Sequence, residues 1–353
     1  MPNLKTDHSI RAALCIAIAY LGGLAADMAG LPLPYMLGAI GATLCAAMAG
    51  VPLSRPPMSI VIPMRVILGV LLGSAMTPDL LDRIAAIAGT LALVPVFIIA
   101  SSLVGTIYYE RVAGYTREEA YFCALPGGLH VMTLYAEERG VDIARVSIAH
   151  AFRITFVVLL ATLVANFLTD IPRITVHATT SSIVDINDVD LVWLACAGGI
   201  GWALGRMTGL AGAQMVVPML CSAALHISGV TAAKPPSELI VAAQSILGAY
   251  IGSRFVGETF TLLSHAMRHA LIHVGLMLMI AAVFASVTNL LLDVPFATGI
   301  LSFAPGGMSE IGLIALVLGL DVGFVATVQL CRLIAINLCG PYLYKRIGWL
   351  LGR

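Results

Sequence analysis

Apolar residues run along this chain in blocks of about 20, the length at which a helix crosses the hydrocarbon layer of a bilayer. Blocks of that scale lie at 11–30, 33–51, 58–77, 84–109 and 143–169. A second set lies at 190–206, 211–230, 237–256, 266–291 and 322–344. Two further apolar segments, 118–138 and 296–319, are interrupted at their centres by Pro-Gly-Gly. The most polar stretch, 170–189, separates the two sets. The pattern predicts an all-α integral membrane protein with a first membrane repeat at 1–169, a polar linker at 170–189 and a second repeat at 190–353. Each repeat would hold about five spanning helices and one broken segment.

The two sets are copies. Pro126-Gly127-Gly128 recurs as Pro305-Gly306-Gly307, and the difference between 126 and 305 sets an offset of 179 residues. That one offset, without a gap, pairs Pro56-Pro57 with Pro235-Pro236 and Ile67-Leu68-Gly69 with Ile246-Leu247-Gly248. It also pairs Gly140 with Gly319, Asp142 with Asp321 and Arg153 with Arg332. Apolar coincidences are cheap in such a sequence, but a register that aligns Pro, Gly, Asp and Arg marks an internal repeat.

Orientation depends on the Pro-Gly-Gly segments. If they dip in and return, each copy has an odd number of spans and the copies are inverted. If they cross, the copies are parallel. Of the 19 Lys and Arg, Arg65, Arg153 and Arg332 fall inside spans, which leaves 16. With the N-terminus inside, inversion divides these 13 to 3 in favour of the inside and parallel copies divide them 10 to 6, so the charge bias favours inversion.

Composition agrees with lipid as the solvent. Hydrophobic residues make up 59% and charged residues 11%, with a mean hydropathy of +0.98. A soluble surface needs far more charge. The formal net charge is zero, so nothing points to nucleic acid. The N-terminal apolar stretch runs on toward Asp27 and is expected to be an uncleaved first span. Seven Cys are scattered singly with no C-x-x-C spacing, which suits packing rather than metal or redox chemistry.

The candidate chemistry gathers at the breaks. Pro126 and Pro305 cannot continue a helix, and Gly127, Gly128, Gly306 and Gly307 allow a sharp change of direction. Backbone freed within a membrane must line a cavity or bind something. The N-terminus of the second half-helix suits an anion and the carbonyl end of the first suits a cation. Arg153 and Arg332 sit about three turns into the last span of each copy, where a guanidinium needs an interior partner. They could recognise a carboxylate, sulfonate or phosphate, form a structural ion pair for which Glu310 is a candidate, or snorkel from a span end. His130 and Ser309 correspond, just beyond each Gly-Gly. Glu310 stands where the first copy has Val131, and it could carry a coupling proton, bind a cation or cap its helix. Asp142 and Asp321 read as helix N-caps. His265, His269 and His273 share one helix face; no nearby acid or Cys completes a metal set, so a polar helix end at the interface is expected.

Leu125-Pro126-Gly127-Gly128-Leu129, Ala304-Pro305-Gly306-Gly307-Met308-Ser309-Glu310, the Gly-Val-Asp and Gly-Leu-Asp turns and the trailing Arg resemble the membrane AbrB-duplication family. Members of that family carry names such as ammonia monooxygenase or regulator AbrB. The resemblance implies a multi-pass protein of the bacterial cytoplasmic (inner) membrane rather than any one activity. The residues themselves favour a secondary transporter for a small solute, an organic anion before a cation. Its expected partners are the solute, a coupling proton or Na+, the lipid bilayer and another copy of the chain. No cofactor, metal, nucleic acid or enzymatic activity is expected. The alternative is a membrane-embedded regulator or sensor that binds a ligand without transport.

Overall fold

The computed structural model describes residues 3–31, 33–76, 84–127, 132, 136–137, 139–168, 181–209 and 212–350. Among these there are 13 α-helices and no strand. They are α1 (Asn3–Met28), α2 (Pro34–Met48), α3 (Met58–Ser74), α4 (Ile84–Arg111), α5 (Arg117–Ala124) and α6 (Ile143–Leu168). After the linker come α7 (Asp188–Thr208), α8 (Ala213–Ile227), α9 (Ser237–Gly252), α10 (Phe260–Leu292), α11 (Phe296–Phe303), α12 (Met308–Val317) and α13 (Val322–Leu350). Five of the described helical stretches are long and apolar enough to cross a membrane: His8–Met28, Ala85–Arg111, Ile143–Leu160, Asp188–Thr208 and Phe260–Leu292.

Helices α2 and α8 are shorter than the blocks read for them at 33–51 and 211–230. Each has 15 residues, or about 22 Å of helix. Gly50 and Gly229, just past their ends, take φ +77° and +73°, a left-handed turn that stops a helix. Hydropathy continues through such a turn, so the apolar block outlasts the helix. Several helix starts stand 179 residues apart: Pro34 and Ala213, Met58 and Ser237, Arg117 and Phe296, Ile143 and Val322.

The helices gather into two compact units, and each unit draws on both halves of the sequence. The first unit holds α1–α3 with α7–α9, and the second holds α4–α6 with α10, from Ser264 onward, through α13.

In the first unit, glycine sets the packing. A Cβ on Gly69 or Gly73 of α3 would strike the carbonyl oxygens of Met215 or Met219 on α8. A Cβ on Gly248 or Gly252 of α9 would crowd the carbonyl oxygens of Met36 or Ile40 on α2. These are the same four positions shifted by the same offset. The third helix of each half therefore packs backbone-to-backbone on the second helix of the other, as small-xxx-small faces do in lipid. A cavity of about 760 Å³ in this unit is lined by apolar groups such as Ile62, Val66, Leu194 and Leu239, so it offers a charged solute no anchor.

Candidate functional site

The second unit contains both breaks. Helix α5 opens with a capping box in which Thr116 Oγ1 accepts from Glu119 N–H and the Glu119 carboxylate accepts from Thr116 N–H. It ends at Ala124, where Leu125 turns to φ −60°, ψ 126°. Helix α11 ends at Phe303, where Ala304 turns to φ −54°, ψ 132°. Extended backbone is what the residue before a proline must adopt, so Pro126 and Pro305 end these helices one residue early. After Pro305-Gly306-Gly307 the chain resumes as α12.

A helix that stops in the protein interior leaves its last carbonyls without partners, at a cost of about 1–3 kcal/mol each if nothing meets them. The last helix of each half meets them here. On α6, Arg153 donates from Nη1 to Leu125 O at 2.7 Å and from Nη2 to Gly127 O at 2.8 Å. One turn earlier, His150 donates from Nε2 to Phe122 O at 2.9 Å. On α13, Arg332 donates from Nη1 to Ala304 O and Phe303 O and from Nη2 to Gly306 O at 3.0 Å. Gln329 donates from Nε2 to Leu301, Ser302 and Ala304 carbonyls, and its own Oε1 accepts from Arg332. Carbonyls 122, 125 and 127 become 301, 304 and 306 under the sequence offset, and so do the side chains that hold them.

The reciprocal contacts follow the same rule. Gly127 faces Ile336 of α13, and Gly306 faces Val157 of α6. Positions 157 and 336 correspond, so each break leans on the last helix of the other half. Arg153, Arg332, His150 and Gln329 are all buried, as are Pro126, Gly127, Pro305 and Gly306.

This geometry sharpens the reading of the arginines. Of the three roles considered from sequence, ligand recognition, ion pairing and snorkelling from a span end, none includes backbone carbonyls, yet these take most of the described Nη hydrogen bonds. Every described partner of the two guanidinium groups is an uncharged oxygen. The cationic charge of each therefore stays beside its break. Positive charge at a helix C-terminus is also the favourable sign for the helix dipole.

The remaining candidates divide. Gly128 and His130 lie outside the described residues. Gly307 and Ser309 are half-buried at the start of α12, and Glu310 is buried in its first turn. A Cβ on Gly307 would strike the Glu310 carboxylate, so that side chain folds back over the helix N-terminus. The capping role weighed for Glu310 has this geometry behind it. Asp142 Oδ1 accepts from the amides of Ala144 and Arg145, and Asp321 Oδ1 from that of Phe324. Both are the N-caps expected.

His150 and Gln329 are equivalent polar residues three before each Arg, which the sequence places on the same helix face, and both join the clamps. The histidine stripe is also placed differently from expectation. Only His265 is exposed; His269 is 8% exposed and His273 fully buried, because tyrosines on α4 pack over them. Among the described residues no group of three or more His, Cys, Asp or Glu could hold a metal ion.

Residues 35–348 match the family described as "Transition state regulatory protein AbrB". The chain belongs to the AbrB family. It is 26% identical over 353 residues to the Escherichia coli (strain K12) protein named "Putative regulator AbrB", covering 99% of this chain and 98% of that one. It is 24% identical over 376 residues to "Uncharacterized protein YhjN" of Bacillus subtilis (strain 168), covering 99% and 96%. The resemblance drawn from the Pro-Gly-Gly motifs therefore extends over most of the AbrB-family chain, whose fold is helical and membrane-like.

Proposed function

We propose that this AbrB-family protein is a multi-pass secondary transporter of the bacterial cytoplasmic membrane, carrying a small organic anion past the two breaks. The observation that carries this reading is the pair of broken helices, each with its carbonyl end clamped by a buried arginine. Two guanidinium charges whose described partners are uncharged oxygens give the region a positive potential in a low dielectric, and that favours an anionic solute. Matching helix starts and matching clamps 179 residues apart support two repeats. Inverted repeats with re-entrant segments would bring such breaks together near the midplane, and alternating access would then expose them to each side in turn. Glu310 already lies over one half-helix N-terminus. The first break, with Val131 at that position, is the better place for the solute's negative group.

The test is uptake into proteoliposomes from a panel of labelled carboxylates, sulfonates and phosphate esters. Wild-type protein should move at least one of them. Arg153→Lys, which keeps the charge but loses the two-point grip, should move it at least tenfold more slowly while remaining monodisperse. Wild-type protein that binds a member of the panel but moves none would favour the regulator reading, to which the family's name points.

Inversion has its own test. Gly140 and Gly319 adopt φ +69° and +62°, where a cysteine would be strained, so the neighbouring Val141→Cys and Leu320→Cys are the better reporters. An impermeant thiol reagent should reach them from opposite sides of the membrane. Labelling from one side would require parallel copies.

A further inference from the structure

The histidine stripe on α10 is matched by tyrosines along and just after α4. The His265 ring stacks on Tyr115, with centroids 6.1 Å apart, and lies 4.4 Å from the His269 ring. His269 Nδ1 is hydrogen-bonded to Tyr108 Oη at 2.8 Å. The rings of Tyr108 and Tyr109 are 5.6 Å apart, and Tyr109 lies 4.9 Å from His273. The series runs from an exposed imidazole to one that is fully buried. His273 is 13 residues beyond Phe260, about 20 Å along the helix.

The inner end is poorly satisfied. Both ring nitrogens of His273, the Tyr109 hydroxyl, His150 Nδ1 and Arg153 Nε are buried without a hydrogen-bond partner among the described residues. Each such atom costs about 1–3 kcal/mol. A Cβ on Gly105 of α4 would strike both His273 Nε2 and Ala124, the last residue of α5. The stripe therefore ends beside the helix that the first break terminates.

Packing does not demand these groups. Under the repeat offset the three histidines correspond to Ala86, Thr90 and Val94, and the three tyrosines to Val287, Thr288 and Val294. At that other end of the helix pair, Gly89 meets Leu292 and Phe97 packs edge-on against Phe284. A cavity of about 260 Å³ there is lined by Ala86, Leu292, Val294 and Thr298, among others. The same helix contact is thus built once from smaller, mostly apolar residues with two threonines and once from imidazoles and phenols.

We propose that His265, His269 and His273, with Tyr115, Tyr108 and Tyr109, form a one-ended proton pathway to the first break, so that the ion coupled to transport is the proton. An imidazole accepts a proton on one nitrogen and releases one from the other, and a phenol hydroxyl passes a proton between neighbours without net charge. Steps longer than a direct hydrogen bond need a bridging water, which the unpartnered atoms of Tyr109 and His273 can bind. The charged and titratable groups around the path are Arg268 beside His265 and His269, then Arg145, Glu119, Asp142 and Cys123 near Tyr115. Arg153 and His150 stand at the inner end. The path itself is independent of the solute; only its use in coupling rests on the transport reading.

The experiment is proton exchange at histidine, followed by solid-state NMR on full-length protein labelled with 15N-histidine in lipid bilayers. His273 is assigned by its loss in His273→Gln. Its N–H should exchange with bulk water, and His269→Phe should slow that exchange at least tenfold. Tyr108→Phe, which keeps the ring and removes the hydroxyl, should slow it severalfold and serves if His269→Phe does not fold. Exchange that is absent in wild type, or unchanged in the ladder variants, overturns the pathway. Exchange of this kind in a protein that moves no anion would leave the pathway standing and remove the transport reading instead.

Discussion

At the first break one imidazole and two guanidinium bonds hold three carbonyls. At the second, an amide and a guanidinium share four carbonyls of the last helical turn and the break, hold a fifth at Gly306, and bond to each other. The second break also has its own carboxylate over the next half-helix, at Glu310. The frame is the same, but among the described residues the clamp side chains of the second break, Gln329 and Arg332, are bonded to each other, whereas those of the first keep buried polar atoms unpartnered, His150 Nδ1 and Arg153 Nε. Duplication preserves what the backbone needs. On the proposed reading, divergence would free the first break for a ligand or a proton while the second holds the structure.

The largest effect that would sharpen this contrast comes from removing the clamps. Arg332→Leu should leave the Phe303 and Gly306 carbonyls and Gln329 Oε1 without their donor, while Ala304 O keeps Gln329. It should destabilise the protein by about 3–5 kcal/mol, because each orphaned group carries its desolvation penalty. Arg153→Leu removes two bonds and should cost less. Thermal unfolding in detergent, followed by loss of the monodisperse peak, ranks the two. Equal losses would show that the second break is not the more structural one.

A control for that pair lies in the first unit, where the stabilising contacts are steric. Gly73→Leu inserts a side chain against the Met219 carbonyl and Ser222 and should cost about 1–3 kcal/mol by overpacking. The counterpart Gly252 faces Thr43 and the Ile40 carbonyl, so Gly252→Leu should cost a similar amount. A large difference between the two, measured by the same assay, would mean that the repeat symmetry of this unit is only approximate.

Exchanging the polar partners tests the comparison directly. Gln329→His leaves one imidazole N–H where the amide reached three carbonyls and Arg332, and should cost about 1–2 kcal/mol. The reverse change, His150→Gln, supplies donors to a break that has fewer described bonds and should be near neutral. If it is instead the more harmful of the two, the spare imidazole nitrogen has a structural role.

Much of this was legible in the residues. The offset of 179 follows from Pro, Gly, Asp and Arg alone, and it placed Arg153 and Arg332 at equivalent points before any geometry was known. The partner of an intramembrane arginine was not legible, because backbone carbonyls look the same at every position. Only the fold shows that 125, 127, 304 and 306 are the ones left bare. The interleaving of the halves within each unit was hidden for a related reason. Gly69 and Gly248 announce close helix contact, but not which helix arrives. The burial of the inner two histidines was not legible either, because Tyr108 and Tyr109, which cover them, come from a different block.

The smallest effect tests whether the frame is symmetric where no function intrudes. Asp142 and Asp321 each cap the last helix of their half, and loss of an N-cap typically costs about 0.5–2 kcal/mol. Asp142 carries a further contact, since Arg145 Nε lies 3.4 Å from its carboxylate and Arg145 Nη1 lies 3.5 Å from Glu119. Arg145 and Asp142 are both well exposed, so solvent screens that network and it should add only a few tenths of a kcal/mol. Asp142→Asn keeps a capping oxygen and removes the charge, so it should cost little and its cost should shrink further in high salt. Asp142→Ala and Asp321→Ala should then agree within about 0.5 kcal/mol. A clear excess for Asp142→Ala that survives high salt would place the asymmetry of the two copies at the membrane surface as well as at the breaks.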